Sequence, residues 1–125
     1  MVDGAGEFST AVNRLTHQVM HWTPPRWRAA SSVSGLSRAD LVYELVQRIA
    51  DLAAAAEGQP RRAVPRLDND LALPDQLLVV TRDLLRASPA SGVVTAACGW
   101  VVRTRNAFTG TGRSAPGSDS GPLVR

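Results

Sequence analysis

The stretch SRADLVYELVQRIADLAAAAEG, residues 37–58, carries the clearest structural signal in this chain. Its apolar residues recur at alternating spacings of three and four, which is the period of a helix that buries one face. These residues are Val42, Leu45, Ile49, Leu52 and Ala56. Ser37 is an N-cap candidate, and Asp40 places a carboxylate near the positive end of the helix dipole. The pattern stops at Gly58 and Pro60, so the sequence predicts one amphipathic helix between Ser37 and Gly58.

Three other segments show a helical period. The first covers about residues 7–22 and is ended by Thr23-Pro24-Pro25, since proline cannot continue the backbone hydrogen bonds. Its apolar stripe consists of Phe8, Val12, Leu15, Val19 and Trp22. Another helix is predicted from Pro74, which suits the first helical position, to the Ser88-Pro89 pair. The last runs over about residues 89–108 and is apolar nearly all round, which indicates a central helix or an oligomer interface.

These segments predict an all-α fold, a small four-helix bundle that forms one domain over residues 1–108. Residues 26–36 and 58–72 are predicted to be loops. Residues 109–125 are rich in glycine, serine, proline and arginine without a period, and we expect a disordered C-terminal tail there. The predicted core consists of Val12, Leu15, Val19, Leu45, Ile49, Leu52, Leu77, Leu84, Ala97, Trp100 and Val101.

The composition limits the class of protein. A chain of 125 residues with 44% apolar residues is suited to one globular domain. The single cysteine, Cys98, excludes an internal disulfide and a cysteine-based zinc site. The longest uncharged apolar run, residues 93–102, is too short to cross a bilayer. We therefore expect a soluble, cytoplasmic protein without a membrane partner.

All 14 basic residues are arginine, and the net charge is +3. Arginine makes bidentate contacts with phosphate and carboxylate groups, so this bias could serve binding. Codon usage in a GC-rich genome explains the same bias, together with the abundant alanine, glycine and proline, and we favour that explanation. Nucleic-acid-binding proteins usually concentrate their charge more than this chain does.

The two histidines, His17 and His21, are four residues apart on the first predicted helix and could chelate a metal ion. A stable zinc or nickel site needs three or four ligands, and the chain has no third histidine. Both residues also fall on the side of the helix opposite the apolar stripe. We therefore favour two solvated histidines over a metal site.

The segment from His21 to Arg28 combines Trp22 and Trp27 with Arg26 and Arg28. Tryptophan and arginine dominate the energetic centres of protein interfaces, so the segment is a candidate partner-binding site. It could also stack bases or sugars on an indole. The structural alternative, which we favour, is that Trp27 folds back and closes the end of the bundle.

A short basic run at Arg61, Arg62 and Arg66 is a candidate phosphate contact. Acidic residues follow at Asp68 and Asp70 and cancel much of its field. The Asp68-Asn69-Asp70 triplet lacks the glycine and glutamate of a calcium loop. We interpret both features as parts of a surface loop.

No motif for nucleophilic, phosphate-binding or zinc-dependent catalysis is present, and no cofactor is predicted. The sequence favours a non-enzymatic helical interaction protein that binds a protein partner or self-associates as a homodimer. Apolar burial around Trp100 and Val102, with Trp27 as an anchor, would supply the binding energy. The alternatives are a nucleic-acid-associated regulator that uses the arginine clusters and, more weakly, a metal-binding bundle enzyme.

Overall fold

The computed structural model describes residues 4–108, and over that range the chain is all-α, as predicted. The helices are α1 (Gly4–Val19), α2 (Pro24–Arg28), α3 (Arg38–Ala56), α4 (Leu73–Arg86) and α5 (Ser91–Phe108), with a short 3-10 helix at Asp70–Ala72. The four long helices form a bundle, and the single turn and a half of α2 lies at one end of it. The tail predicted at residues 109–125 lies outside the described residues.

Each long helix packs against two others, so that α1, α5, α3 and α4 follow one another around the bundle. Helices α1 and α5 run parallel. Gly4 lies beside Val94 at one end of the pair, and the Arg105 Nε donates a hydrogen bond to the Gln18 Oε1 over 2.9 Å at the other. Helices α3 and α4 also run parallel, which requires the chain between them to return along the whole of α3.

Residues 57–72 make this return, over a distance of about 28 Å for a helix of 19 residues. We call residues 61–66 the crossover strap, because they are held against α3 by their backbone. The Gln47 Oε1 accepts from the Val64 N–H at 2.7 Å, and the Gln47 Nε2 donates to the Arg62 carbonyl at 3.0 Å. The Tyr43 hydroxyl donates to the Val64 carbonyl. Side chains of α3 thus supply the partners that the returning backbone lacks.

Both ends of α3 confirm the boundaries that the sequence predicts. The Ser37 Oγ accepts from the Asp40 N–H at 3.0 Å, and the Asp40 carboxylate accepts from the Ser37 N–H at 2.9 Å, which completes a capping box. At the other end Gly58 has a φ of +70°, a conformation that glycine adopts without strain. The Gln59 N–H then bonds back to the Ala54 carbonyl at 2.8 Å. This reversal ends the helix in a Schellman motif.

The prediction for the first helix is wrong at its C-terminal end. Helix α1 begins at Gly4 and stops at Val19, whereas about residues 7–22 were predicted. Pro24 and Pro25, predicted only to end that helix, begin α2, which extends into the linker predicted at residues 26–36. Proline fits the first turn of a helix because its missing N–H would have no partner there. The same two residues that prevent α1 from continuing therefore start the next helix.

An aromatic cluster of Trp22, Trp27 and Phe108 fills the end of the bundle beside α2. The Trp22 ring meets the Trp27 ring edge-on at 5.0 Å and the Phe108 ring edge-on at 4.8 Å, both favourable geometries for aromatic pairs. Trp27 and Phe108 are 0% and 1% exposed. The guanidinium groups of Arg26 and Arg38 lie over the Trp22 ring at 5.6 and 5.2 Å. The cluster joins α2, the end of α5 and the start of α3.

The predicted core is buried with two exceptions, and Ala56, the last residue of the predicted α3 stripe, is exposed. Helix α4 carries Pro74 in its first turn, as predicted, and α5 begins at Ser91, two residues later than predicted. Leu52 and Trp100, both predicted to lie in the core, are only half-buried and pack at its margin. Both side chains lie at the edge of their apolar stripes, where the neighbouring helices cover them only in part.

Replacing the cap of α3 tests the importance of its N-terminus. Ser37→Ala removes the hydroxyl that accepts the Asp40 N–H and should lower the free energy of unfolding by about 1 kcal/mol. Urea denaturation followed by circular dichroism measures the change. Ser34→Ala, in the exposed loop just before the cap, is the matched control and should leave the midpoint unchanged. Equal stability of both variants and the native protein would contradict the role given to the cap.

Candidate functional site

The two histidines, weak candidates for metal ligands in the sequence, do not lie on one helix. His17 lies on α1, whereas His21 lies in the turn beyond it, because α1 ends at Val19. Both side chains are exposed. Within residues 4–108 no three side chains of the histidine, cysteine, aspartate or glutamate type come together in a way that could hold a metal ion.

The Trp–Arg segment divides into a buried and an exposed part. Trp22 and Trp27 are 5% and 0% exposed, so their indoles belong to the core of the described structure. Arg26 and Arg28 are exposed. The structural alternative, in which Trp27 closes the end of the bundle, is the arrangement found. Neither indole is accessible as an anchor for a partner. A partner that binds at this end of the bundle would contact Arg26 and Arg28 instead.

The basic run at residues 61–66 is partly neutralised by acidic residues. The Arg66 guanidinium lies 3.1 Å from the Asp40 carboxylate and 3.8 Å from that of Asp70, and it stacks over the Tyr43 ring at 4.9 Å. The Arg61 guanidinium is 3.8 Å from the Asp51 carboxylate and mostly exposed. Arg62 is exposed and forms no ion pair with the part of the chain that the structure describes. The strap therefore offers one unpaired guanidinium, not a cluster of three.

Asp40 connects the capping box with Arg66. Its pKa is lowered from the ordinary value of 3.8, chiefly because the Ser37 backbone N–H donates to the carboxylate. The side chains of Arg66 and Ser37 lower the pKa further, while partial burial acts in the opposite direction. The charged form of Asp40 is thus the one that the fold stabilises.

The largest groove lies between α3, α4 and the crossover strap and has a volume of about 880 Å³. Alanines of the last turns of α3 form much of its wall, because their small side chains do not fill the space below the strap. On its rim Asp83 and Arg86 lie 3.7 Å apart and face each other on one helix. The groove is open, with both polar and apolar walls.

A second groove follows the line where α1 and α5 meet, and we call the surface around it the α1–α5 face. It has a volume of about 600 Å³ and is lined by Ala11, Cys98 and Val102, with Glu7 and Arg14 on its rim. Val102 is 47% exposed. Apart from the terminal residues of α5, no charged side chain interrupts this side of the helix, because residues 91–102 are uncharged throughout.

On the opposite side of α5 lies a smaller groove of about 270 Å³, which we call the Trp100 groove. Its walls are Leu41, Ala107 and the half-buried ring of Trp100. The Arg48 guanidinium lies 5.3 Å from the centre of that ring, and Arg103 stands on the rim. Arginine over tryptophan is a favourable cation–π arrangement.

Sequence reasoning identified Trp100 and Val102 but missed the charged residues around them. Glu7 and Arg14 were detectable, since a spacing of seven places two residues on one side of a helix. Arg48 was not detectable, because its contact with Trp100 joins residues that are distant in the sequence.

No family model, no curated protein and no solved structure matches the chain. Within residues 4–108, no helix combines the length and the apolar character needed to cross a lipid bilayer.

Lowering the pH should reveal the contribution of Asp40. Its folded-state pKa lies below the unfolded value, so the stabilisation is complete above 3.8 and is lost as the pH falls below that value. The unfolding free energy, followed from about pH 6 to about pH 2.5, should therefore fall less in Asp40→Asn than in the native protein. Asp68→Asn, an exposed control in the same region, should follow the native curve. Parallel curves for Asp40→Asn and the native protein would refute this assignment.

Proposed function

We propose that this chain is a non-enzymatic helical interaction protein that self-associates through the α1–α5 face. The observation that carries the proposal is the 47% exposure of Val102 on an α5 surface whose first 12 residues bear no charge. Surface helices normally present charged and polar side chains to water on their outer side. An exposed valine on an uncharged side is explained if a second protein surface covers it.

The small side chains of α5 fit this proposal. Cys98 and Gly99 are half-buried and lie within about 60° of Val102 around the helix. The Arg103 side chain lies beside Gly99, so a second helix would approach on the Cys98 side of Val102, at the roughly 8–10 Å of packed helices. The Val102 side chain would then enter the groove between α1 and α5 of the other copy.

Charge supports a second copy as the occupant. A two-fold contact brings the same surface together with itself, so opposite charges must flank its centre. Glu7 and Arg14 are about 10 Å apart along α1, on either side of Ala11. Neither side chain forms an ion pair with a described residue. In an antiparallel two-fold pairing, Glu7 would meet Arg14 of the partner subunit.

The size of the α1–α5 face indicates a weak association. Helix α5 has 18 residues and is about 27 Å long, and two neighbouring helices are about 20 Å wide. The footprint of roughly 500 Å² per subunit is at the small end for specific interfaces. We therefore expect a dissociation constant in the micromolar range. Cytoplasmic location is part of the proposal and is supported by the free thiol of Cys98, which reducing compartments preserve.

Val102→Glu should convert the dimer into a monomer, because each interface would bury two unpaired carboxylates. Light scattering after gel filtration, over about 5 to about 500 µM protein, measures the mass. Val79→Glu is the matched control, since Val79 is 53% exposed on α4 and lies outside this face. It should leave the dimer intact, and circular dichroism should show helical proteins throughout. A native protein that stays monomeric at the highest concentration would disprove self-association.

A charge exchange tests the two-fold arrangement separately. Glu7→Arg and Arg14→Glu should each weaken the dimer, since each places like charges opposite one another. The double variant restores opposite charges and should recover most of the native dissociation constant. Additive losses in the double variant would show that these two residues do not meet across the interface.

A further inference from the structure

We propose that the Trp100 groove binds a second, different partner: an acidic peptide segment that carries one bulky apolar side chain. The surface is separate from the α1–α5 face, because Trp100 and Val102 point about 160° apart around α5. The proposal therefore does not depend on self-association.

The shape of the groove favours a single side chain as the inserted group. Its volume of about 270 Å³ lies below the roughly 300–1,000 Å³ of typical small-molecule sites. The walls provided by Leu41, Trp100 and Ala107 are apolar, and the nearby Val33 is 42% exposed. A buried apolar side chain from a partner would remove this surface from water. Tryptophan and arginine, which both line this groove, are also the residue types that dominate binding energy at interfaces.

The charges of the groove favour an acidic segment around that side chain. Arg48 and Arg103 form no ion pair with any residue between 4 and 108, and Glu44 is the single acidic residue among those that line the groove. A cation–π contact is an electrostatic attraction to the ring face and leaves N–H donors of the guanidinium group available for hydrogen bonds. Arg48 can therefore hold the Trp100 ring and a carboxylate at the same time.

Elsewhere in the molecule one arginine contacts both an aromatic ring and a carboxylate. The Arg66 guanidinium lies over the Tyr43 ring, 4.9 Å from its centre, and the Arg66 Nη2 lies 3.1 Å from the Asp40 Oδ1. Arg48 stacks over the Trp100 ring at a similar distance of 5.3 Å but has no carboxylate partner among the described residues. The missing carboxylate is the group that a partner would supply.

A peptide is favoured over a nucleic acid for the same site. A phosphate backbone is bound by a continuous track of basic residues, whereas here Glu44 stands beside the two arginines. The floor is also apolar and narrow, which suits an aliphatic or aromatic side chain better than a charged backbone.

Titration of the full-length, isotope-labelled protein by nuclear magnetic resonance tests the proposal. The probes are a pool of blocked pentapeptides with a central leucine, phenylalanine or methionine flanked by aspartate and glutamate, and a matched pool with arginine at the acidic positions. We expect the acidic pool to shift the indole N–H resonance of Trp100 and the Nε–H resonance of Arg48. The arginine pool should leave both resonances in place. Oligothymidylate serves as the nucleic-acid probe.

Variants decide whether the groove is responsible. Arg48→Glu should weaken binding of the best acidic peptide at least about tenfold, since it replaces a charged donor by a like charge. Arg82→Glu on the exposed side of α4 is the matched control and should bind as the native protein does. Trp100→Phe is the second variant, because it retains an apolar ring where a smaller residue could destabilise the fold. It should bind the acidic peptide more weakly than the native protein does.

The proposal is overturned if the acidic pool leaves the Trp100 resonance unmoved, if Arg48→Glu binds as tightly as Arg82→Glu, or if oligothymidylate shifts the same resonances more strongly. Val102→Glu separates this inference from self-association. We expect that variant to bind the acidic peptide with unchanged affinity, whatever its oligomeric state.

Discussion

The parallel pairing of α3 and α4 requires a segment that returns along α3, and α3 side chains hold this segment, the crossover strap, by its backbone. A returning segment without helical structure leaves its N–H and carbonyl groups without regular partners. Gln47 satisfies two of these groups and Tyr43 a third. With the strap fixed, Arg66 reaches Asp40 at the start of α3, and α4 begins beside that same end. The strap thus brings the chain back to the start of α3, and the packing of α4 against α3 then holds the two helices side by side.

Three sides of helix α5 lie in different environments: one is in the core, and the other two line separate grooves. Val94, Ala97 and Val101 are buried in the core. Trp100 lies in one groove and Val102 in another, on opposite sides of that buried stripe. The apolar residues of α5 thus serve two purposes: some pack in the core, and others line the two surface grooves. If α5 contributed only to the core, we would expect charged or polar residues at the positions of Trp100 and Val102.

The sequence determined α3 well because the signals at its ends are local: a serine with an aspartate three residues later, and a glycine after the last turn. It misplaced the end of α1, since Pro24 and Pro25 are compatible both with a helix end and with a helix start. Burial of Trp27 and the half-exposure of Trp100 depend on which helices are neighbours. That arrangement depends on contacts between residues that are distant in the sequence. The spacing of apolar residues within one helix does not predict such contacts.

The strap also gives the molecule a weak point of its own. All its side chains except that of Val64 are exposed, so little apolar surface holds it in place. Segments fixed mainly by polar contacts open at a smaller free-energy cost than the core beneath them. Residues 61–66 can therefore detach as one unit while the helices stay folded, and their amide protons should exchange with solvent ahead of those in α3. The protein therefore has two parts that differ in their free energy of opening. One is the helical bundle, and the other is the weakly held strap that lies over the alanine-lined groove.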